Sequence, residues 1–198
     1  MIDLAAARAR LGRTMVLLPD PVPEHPLLAN KPEIGRGEYS IVIDKGDGER
    51  VYKVVSSPAD YFLYTAEDRP SGEHFPIIHA DHGIIGRANS GYPLYLIEME
   101  KLYPLIEDSP AGELALLLID TYWKACQQWS KLGADMGRIA LYHMSMNPLP
   151  MSDNMLKAIT ALSDFVEEYQ VLPDILNVNN LMMRKDGTLV FSDPVFIA

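Results

Sequence analysis

With one cysteine, Cys126, among 198 residues, this chain has no internal disulfide to rely on. Cys126 falls in an apolar, helix-like pattern, which favours a small buried hydrophobe over a reactive thiol. Basic residues are also short: 17 Lys+Arg stand against 27 Asp+Glu, a formal net charge of −10. That balance excludes a general nucleic-acid surface or an anionic-membrane surface, since both need clustered positive charge. The carboxylates are too dispersed along the chain for a DNA mimic. No apolar run approaches the ~20 residues of a membrane span. The opening MIDLAAARARLGRTMVLL is broken by Arg8, Arg10 and Arg13 and has no small-residue cleavage site after it, so it does not fit a signal peptide. Cytoplasm is the expected location. Internal repeats and low-complexity tracts are absent.

What is present suits a folded protein of one domain or one domain of two lobes. Hydrophobic residues make up 48%, enough for a core at this length. Residues 2–11 can form a short helix that Gly12 weakens. Pro19, Pro21, Pro23 and Pro26 make the stretch to Pro32 an extended connector. Two strands follow: 34–43, with Gly35 and Gly37 in a bend at its start, and 51–55, which carries Lys53 among apolar residues. Pro58 or Asp60 opens a short helix through Ala66. Further strands are expected at 77–80, 83–85 and 93–99.

From Ser109 the period changes to that of a helix. Ser109 is the N-cap and Pro110 the first helical residue; Leu114, Leu117, Leu118, Tyr122, Ala125 and Trp129 line one side, and Gly133 ends the run. Residues 134–150 are expected to be loop. Ser152 or Asp153 caps a second helix through Tyr169. The fold class is α+β, β-rich in its first half and helical in its second. Met144, Met146, Met151 and Met155 read as core filling or an adaptable contact surface. The helix with Trp123 and Trp129 reads as core, with a partner patch as the alternative. His79-Ala80-Asp81-His82 lacks further metal ligands nearby in sequence, so surface histidines are the plainer reading.

The end of the chain carries the chemistry. Leu181–Arg184 and Thr188–Phe191 are short β-prone runs joined by a Lys185-Asp186-Gly187 turn. Asp174, Asn177, Asn179 and Asn180 precede this hairpin and Asp193 follows it. A hairpin brings its ends together, so an Asn amide oxygen can face an Asp carboxylate. Hard oxygen ligands of that kind suit Mg²⁺ or Mn²⁺, with phosphate and water completing the shell.

Taken in order, these pieces resemble the protein kinases. Gly35-Arg36-Gly37-Glu38-Tyr39-Ser40-Ile41-Val42 is similar to the Gly-rich phosphate loop, with Ser40 at its third glycine. Val51-Tyr52-Lys53 stands where the phosphate-binding lysine is expected. Tyr95–Leu102 looks like the strand and hinge, whose Glu100–Leu102 backbone would bond an adenine. Asn180 and Asp193 match the two metal ligands. Small kinase-like proteins of tailed bacteriophages resemble this pattern too.

The resemblance implies a bilobal fold: an N-terminal helix and connector at 1–30, a β-rich N-lobe at 31–102, and a minimal helical C-lobe at 103–198 ending just after Asp193. It implies ATP and Mg²⁺ (or Mn²⁺) as cofactors. Gly35, Gly37, Ser40, Lys53, Glu100 and Leu102 would hold the nucleotide, and Lys53 and Asp174 would be catalytic. The acceptor would be a Ser/Thr hydroxyl of a protein or a small molecule. The alternative is an inactive pseudokinase that regulates or inhibits a protein partner, such as a host protein.

The sequence departs from the family in three places. Asp174 lies six residues before Asn180 and five before Asn179, where five is the family spacing. Either the loop holds one extra residue, or Asn179 is the ligand, or no base is in place, in which case Asp174 caps the turn after Pro173. Pro194 follows Asp193 where the family has Phe. The acid that would pair with Lys53 is undecided among Glu67, Glu73 and Asp60.

Overall fold

The structure, a computed structural model, describes residues 21–89, 91–147 and 149–197. The helix expected at 2–11 and the start of the connector lie outside them. Among the described residues no helix is long and apolar enough to cross a membrane. The chain is α+β and divides into two compact units: residues 21–69 with 77–101, and residues 70–76 with 102–197.

The first unit is a five-stranded antiparallel sheet. Its strands are β1 (Glu33–Arg36), β2 (Ser40–Asp44), β3 (Arg50–Val55), β4 (Ile78–Arg87) and β5 (Pro93–Glu100), in the order β1-β2-β3-β5-β4. The two strands expected at 77–80 and 83–85 are one strand, β4. The Asp81–Gly83 break is a shift in its pairing with β5, with Gly83 at φ +71°. The glycine bend lies between β1 and β2 rather than at the head of one strand.

Strand pairing assigns the two faces. Ile41, Val54 and Leu96 are register partners, as are Ile43 and Tyr52, and all five join Leu28, Ala88 and Leu94 in one buried cluster. Leu28 reaches it from a turn at 26–30, so the expected extended connector folds back there. Val42, Lys53 and Ile97 share the other face. Helix α1 (Pro58–Thr65) packs on β3, and its Tyr61 ring stacks on Tyr95 at 3.8 Å. Ser57 caps it by accepting from the Asp60 amide, and Pro58 starts it with φ already suited to a helix.

The second unit is built on α2 (Pro110–Gln128), α3 (Met136–Met146) and α4 (Asp153–Glu168). Ser109 and Ser152 cap α2 and α4 as expected. Helix α3 occupies the stretch expected to be loop. Its Gly137 and the prolines beyond it hide the pattern, yet Ala140, Leu141 and Met144 are buried and α3 packs against both α2 and α4. Packing overrides weak local propensity here. Of the four methionines, Met144 and Met155 are core whereas Met146 is exposed.

Two small sheets complete the unit. Strands β6 (Tyr103–Pro104), β8 (Leu181–Met183) and β9 (Leu189–Phe191) form one, and β7 (Leu172–Pro173) with β10 (Val195–Phe196) forms the other. The segment 70–76 is stitched to β9. The His74 Nδ1 lies 2.8 Å from the Leu189 carbonyl, which only accepts, so the proton sits on Nδ1; the Phe191 amide donates to the His74 carbonyl.

Gly137 is needed for close approach. A Cβ there would lie 2.7 Å from the Tyr122 hydroxyl and 3.4 Å from the Pro173 ring. Gly137→Ala is therefore expected to cost ~1–3 kcal/mol in urea unfolding. Adding Tyr122→Phe, which removes the clashing oxygen, should recover part of that loss; strictly additive losses would contradict this packing.

Candidate functional site

In the second unit four chain ends converge. Asp174 leaves β7 and Asp193-Pro194 enters β10; the two strands pair through Pro173 with Val195 and Leu172 with Phe196. The Asp174 amide donates to the Pro194 carbonyl at 2.7 Å. Asn180 enters β8 from a 3-10 turn at Val178–Asn180, and the Ser192 amide, at the exit of β9, donates to the Asn180 carbonyl at 2.7 Å. The two ribbons therefore bring Asp174, Asn180 and Asp193 together.

The Asn180 carboxamide organises this cluster. Its Nδ2 donates to Asp174 Oδ2 at 2.7 Å and to the Asp174 carbonyl at 3.1 Å. Both partners are acceptors, which fixes the amide orientation and turns Oδ1 away from Asp174. Asn177 adds a longer bond to Asp174 Oδ2, at 3.4 Å, and its own Oδ1 accepts from the Asn179 amide. Asn180 rather than Asn179 meets Asp174, and Asn179 is exposed. A 3-10 turn at Val178–Asn180 lies between Asp174 and the strand that Asn180 enters. Asp174 is therefore not only a turn cap.

Burial pushes the Asp174 carboxyl above its ordinary pKa. The hydrogen bonds from Asn180 and Asn177 oppose that rise, and the charge of Asp193 adds to it. The Asp193 carboxylate and Asn180 Oδ1 are donors of the hard kind that Mg²⁺ accepts, and a Mg²⁺ site commonly keeps water and phosphate oxygens as its remaining ligands. Among the described residues no three His, Cys, Asp or Glu side chains form a metal-holding group.

The first unit carries the remaining predicted residues. Gly37 closes the β1–β2 bend by donating its amide to the Ser40 carbonyl at 2.8 Å, and a Cβ on Gly37 would meet Ser40 Oγ at 3.2 Å. At Gly35 a Cβ would make only ordinary contact with Val42. Lys53 is 4% exposed on the central strand β3. Its Nζ donates to the Tyr64 hydroxyl at 2.5 Å.

Of the acids considered for Lys53, only Asp60 lies on α1, where it is buried. Glu67 is exposed beyond the helix, and Glu73 belongs to the other unit, where it accepts from Asn154. The Glu100 amide donates to the Ile77 carbonyl and the Lys101 amide to the Glu49 carbonyl, so both donors are committed within the sheet unit. Leu102 is the first residue of the following unit segment. Asp81 accepts from Tyr61 and His82 lies 3.6 Å from Glu98, so both belong to the sheet's own polar contacts.

Asn177 was named among the polar residues before the last hairpin, but Tyr64 was not singled out in the sequence. A Tyr one helical turn beyond Asp60 is a detectable signal for it. No known protein-family model matches the chain, and no curated protein sequence is significantly similar to it.

An acid whose pKa rises on folding stabilises the protein at low pH, and that stabilisation is lost as pH climbs through the folded value. Asp174→Asn keeps an acceptor for Asn180 and removes the buried charge. It is expected to melt at or above wild type at neutral pH, with the difference shrinking in acid, where wild-type Asp174 is protonated. Calorimetry at several pH values checks this; a variant less stable at neutral pH than in acid, relative to wild type, would contradict it.

Proposed function

We propose that this chain is a kinase-like phosphotransferase using ATP and a divalent cation, with a hydroxyl as acceptor. The observation that carries the reading is the Asp174–Asn180–Asp193 cluster, in which one half-buried carboxylate is held by hydrogen bonds from two asparagines while the amide of the second acid donates to the Asn180 carbonyl. Lys53 on the third strand, after the glycine bend of β1 and β2, supports it further.

In this reading Asp193 and Asn180 would hold Mg²⁺, which supplies charge neutralisation on the phosphates when bound. Lys53 contacts phosphate oxygens. Asp174 accepts the proton of the acceptor hydroxyl as its oxygen bonds to the γ-phosphorus, the bond to the β-phosphate oxygen breaks, and ADP leaves. A raised pKa makes Asp174 a better proton acceptor near neutrality than an ordinary aspartate. Positioning and electrostatics supply most of the acceleration.

A second reading is a pseudokinase-type module that binds a protein partner. What favours it is Pro194, whose carbonyl ties down the Asp174 amide directly beside Asp193.

The two readings separate in a melting experiment. Wild type with ATP and Mg²⁺ at a hundredfold excess over Kd should gain about 5–10 °C in Tm, by mass action on the folded state. Lys53→Ala and Asp193→Ala should lose most of that gain. No shift at millimolar ATP would remove the phosphotransferase reading and leave the binding module.

A further inference from the structure

In the sheet unit the lysine proposed to meet phosphate is held by a phenol. Lys53 stands on the middle strand, flanked by Val42 and Ile97 across the two ladders. Val51 and Val55, which share its face by alternation, are also buried, so the stem has apolar walls. At its tip, Nζ donates to the Tyr64 hydroxyl at 2.5 Å and lies 4.8 Å from the centre of the same ring. Tyr64 is 1% exposed and sits near the end of α1, next to buried Leu63. Its side chain therefore has little room to turn away.

From this geometry we infer that Tyr64 is the positioning residue for Lys53, fixing where its ammonium stands for a phosphate group. The inference rests on the proposed nucleotide reading and adds to it the residue through which helix α1 acts. The hydroxyl oxygen defines the position by fixing the end of the ammonium, and the buried ring holds that oxygen in place. A phenol is neutral, so it orients the ammonium without cancelling its charge as a carboxylate would. Asp60, the one acid of the helix, is buried one turn earlier and is the competing candidate.

The test compares nucleotide binding by calorimetry in wild type, Tyr64→Phe, Lys53→Ala, the double variant and Asp60→Asn, with ATP·Mg and adenosine as probes. Phe keeps the ring and its packing and removes only the oxygen. Tyr64→Phe should weaken ATP about tenfold and leave adenosine unchanged, since only the phosphates depend on Lys53. A general loosening of the fold would weaken both. In the Lys53→Ala background, Tyr64→Phe should have no further effect.

If wild type and Tyr64→Phe bind ATP equally while Lys53→Ala does not, the inference falls and the nucleotide reading stands. If Asp60→Asn weakens ATP and Tyr64→Phe does not, the carboxylate is the positioning group and the inference falls. If wild type binds no ATP, the nucleotide reading falls and takes the inference with it.

Discussion

Two hydrogen bonds from the Asn180 carboxamide, to the carboxylate and the carbonyl of Asp174, hold the end of the chain in its working shape. Neither the β8–β9 hairpin nor the β7–β10 ribbon is long enough to be stable as an isolated pair of strands. Each gains from the other, because the Asn180 carbonyl also receives the Ser192 amide and the Pro194 carbonyl receives the Asp174 amide. A carboxylate drawn partly out of water is costly unless hydrogen-bonded, and half-buried Asp174 is hydrogen-bonded from two asparagines. The cost that remains appears as its raised pKa.

The sheet unit meets a similar problem with the opposite sign. Lys53 lies inside a strand that is buried from Val51 to Val55. Such a lysine persists only where something receives its ammonium, and Tyr64 on the adjoining helix does so. In both units a charged group is set in a largely apolar surround and held by neutral polar side chains: asparagines for the acid, a tyrosine for the base.

Local rules made much of this legible. Ser57, Ser109 and Ser152 announced their helices as N-caps, and the Asp-Gly turn announced the last hairpin. Asn180 and Asp193 stood out because a hairpin must bring its ends together. What stayed hidden depends on contacts distant in sequence. Helix α3 has a glycine in its first turn that makes sense only beside Tyr122 and Pro173. Strand β7 is two residues long and is a strand only because Val195 and Phe196 lie opposite. The side-chain bond from Asn180 to Asp174 spans a 3-10 turn that the six-residue spacing does not announce. Tyr64 is not legible as a partner of Lys53 because charge pairing points to acids, whereas this ammonium donates to a phenol.

The central claim is that Asn180 and Asp193 present a cation site beside Asp174. The most direct measurement is paramagnetic line broadening of backbone amide signals on adding Mn²⁺ with ATP, since the effect falls steeply with distance from the ion. The account predicts that signals of residues 174–181 and 191–195 disappear first, that Mg²⁺ in excess restores them, and that Asp193→Ala keeps them. Broadening that begins instead at exposed acids such as Glu107 and Asp108, or spreads evenly over the acidic surface, would contradict it.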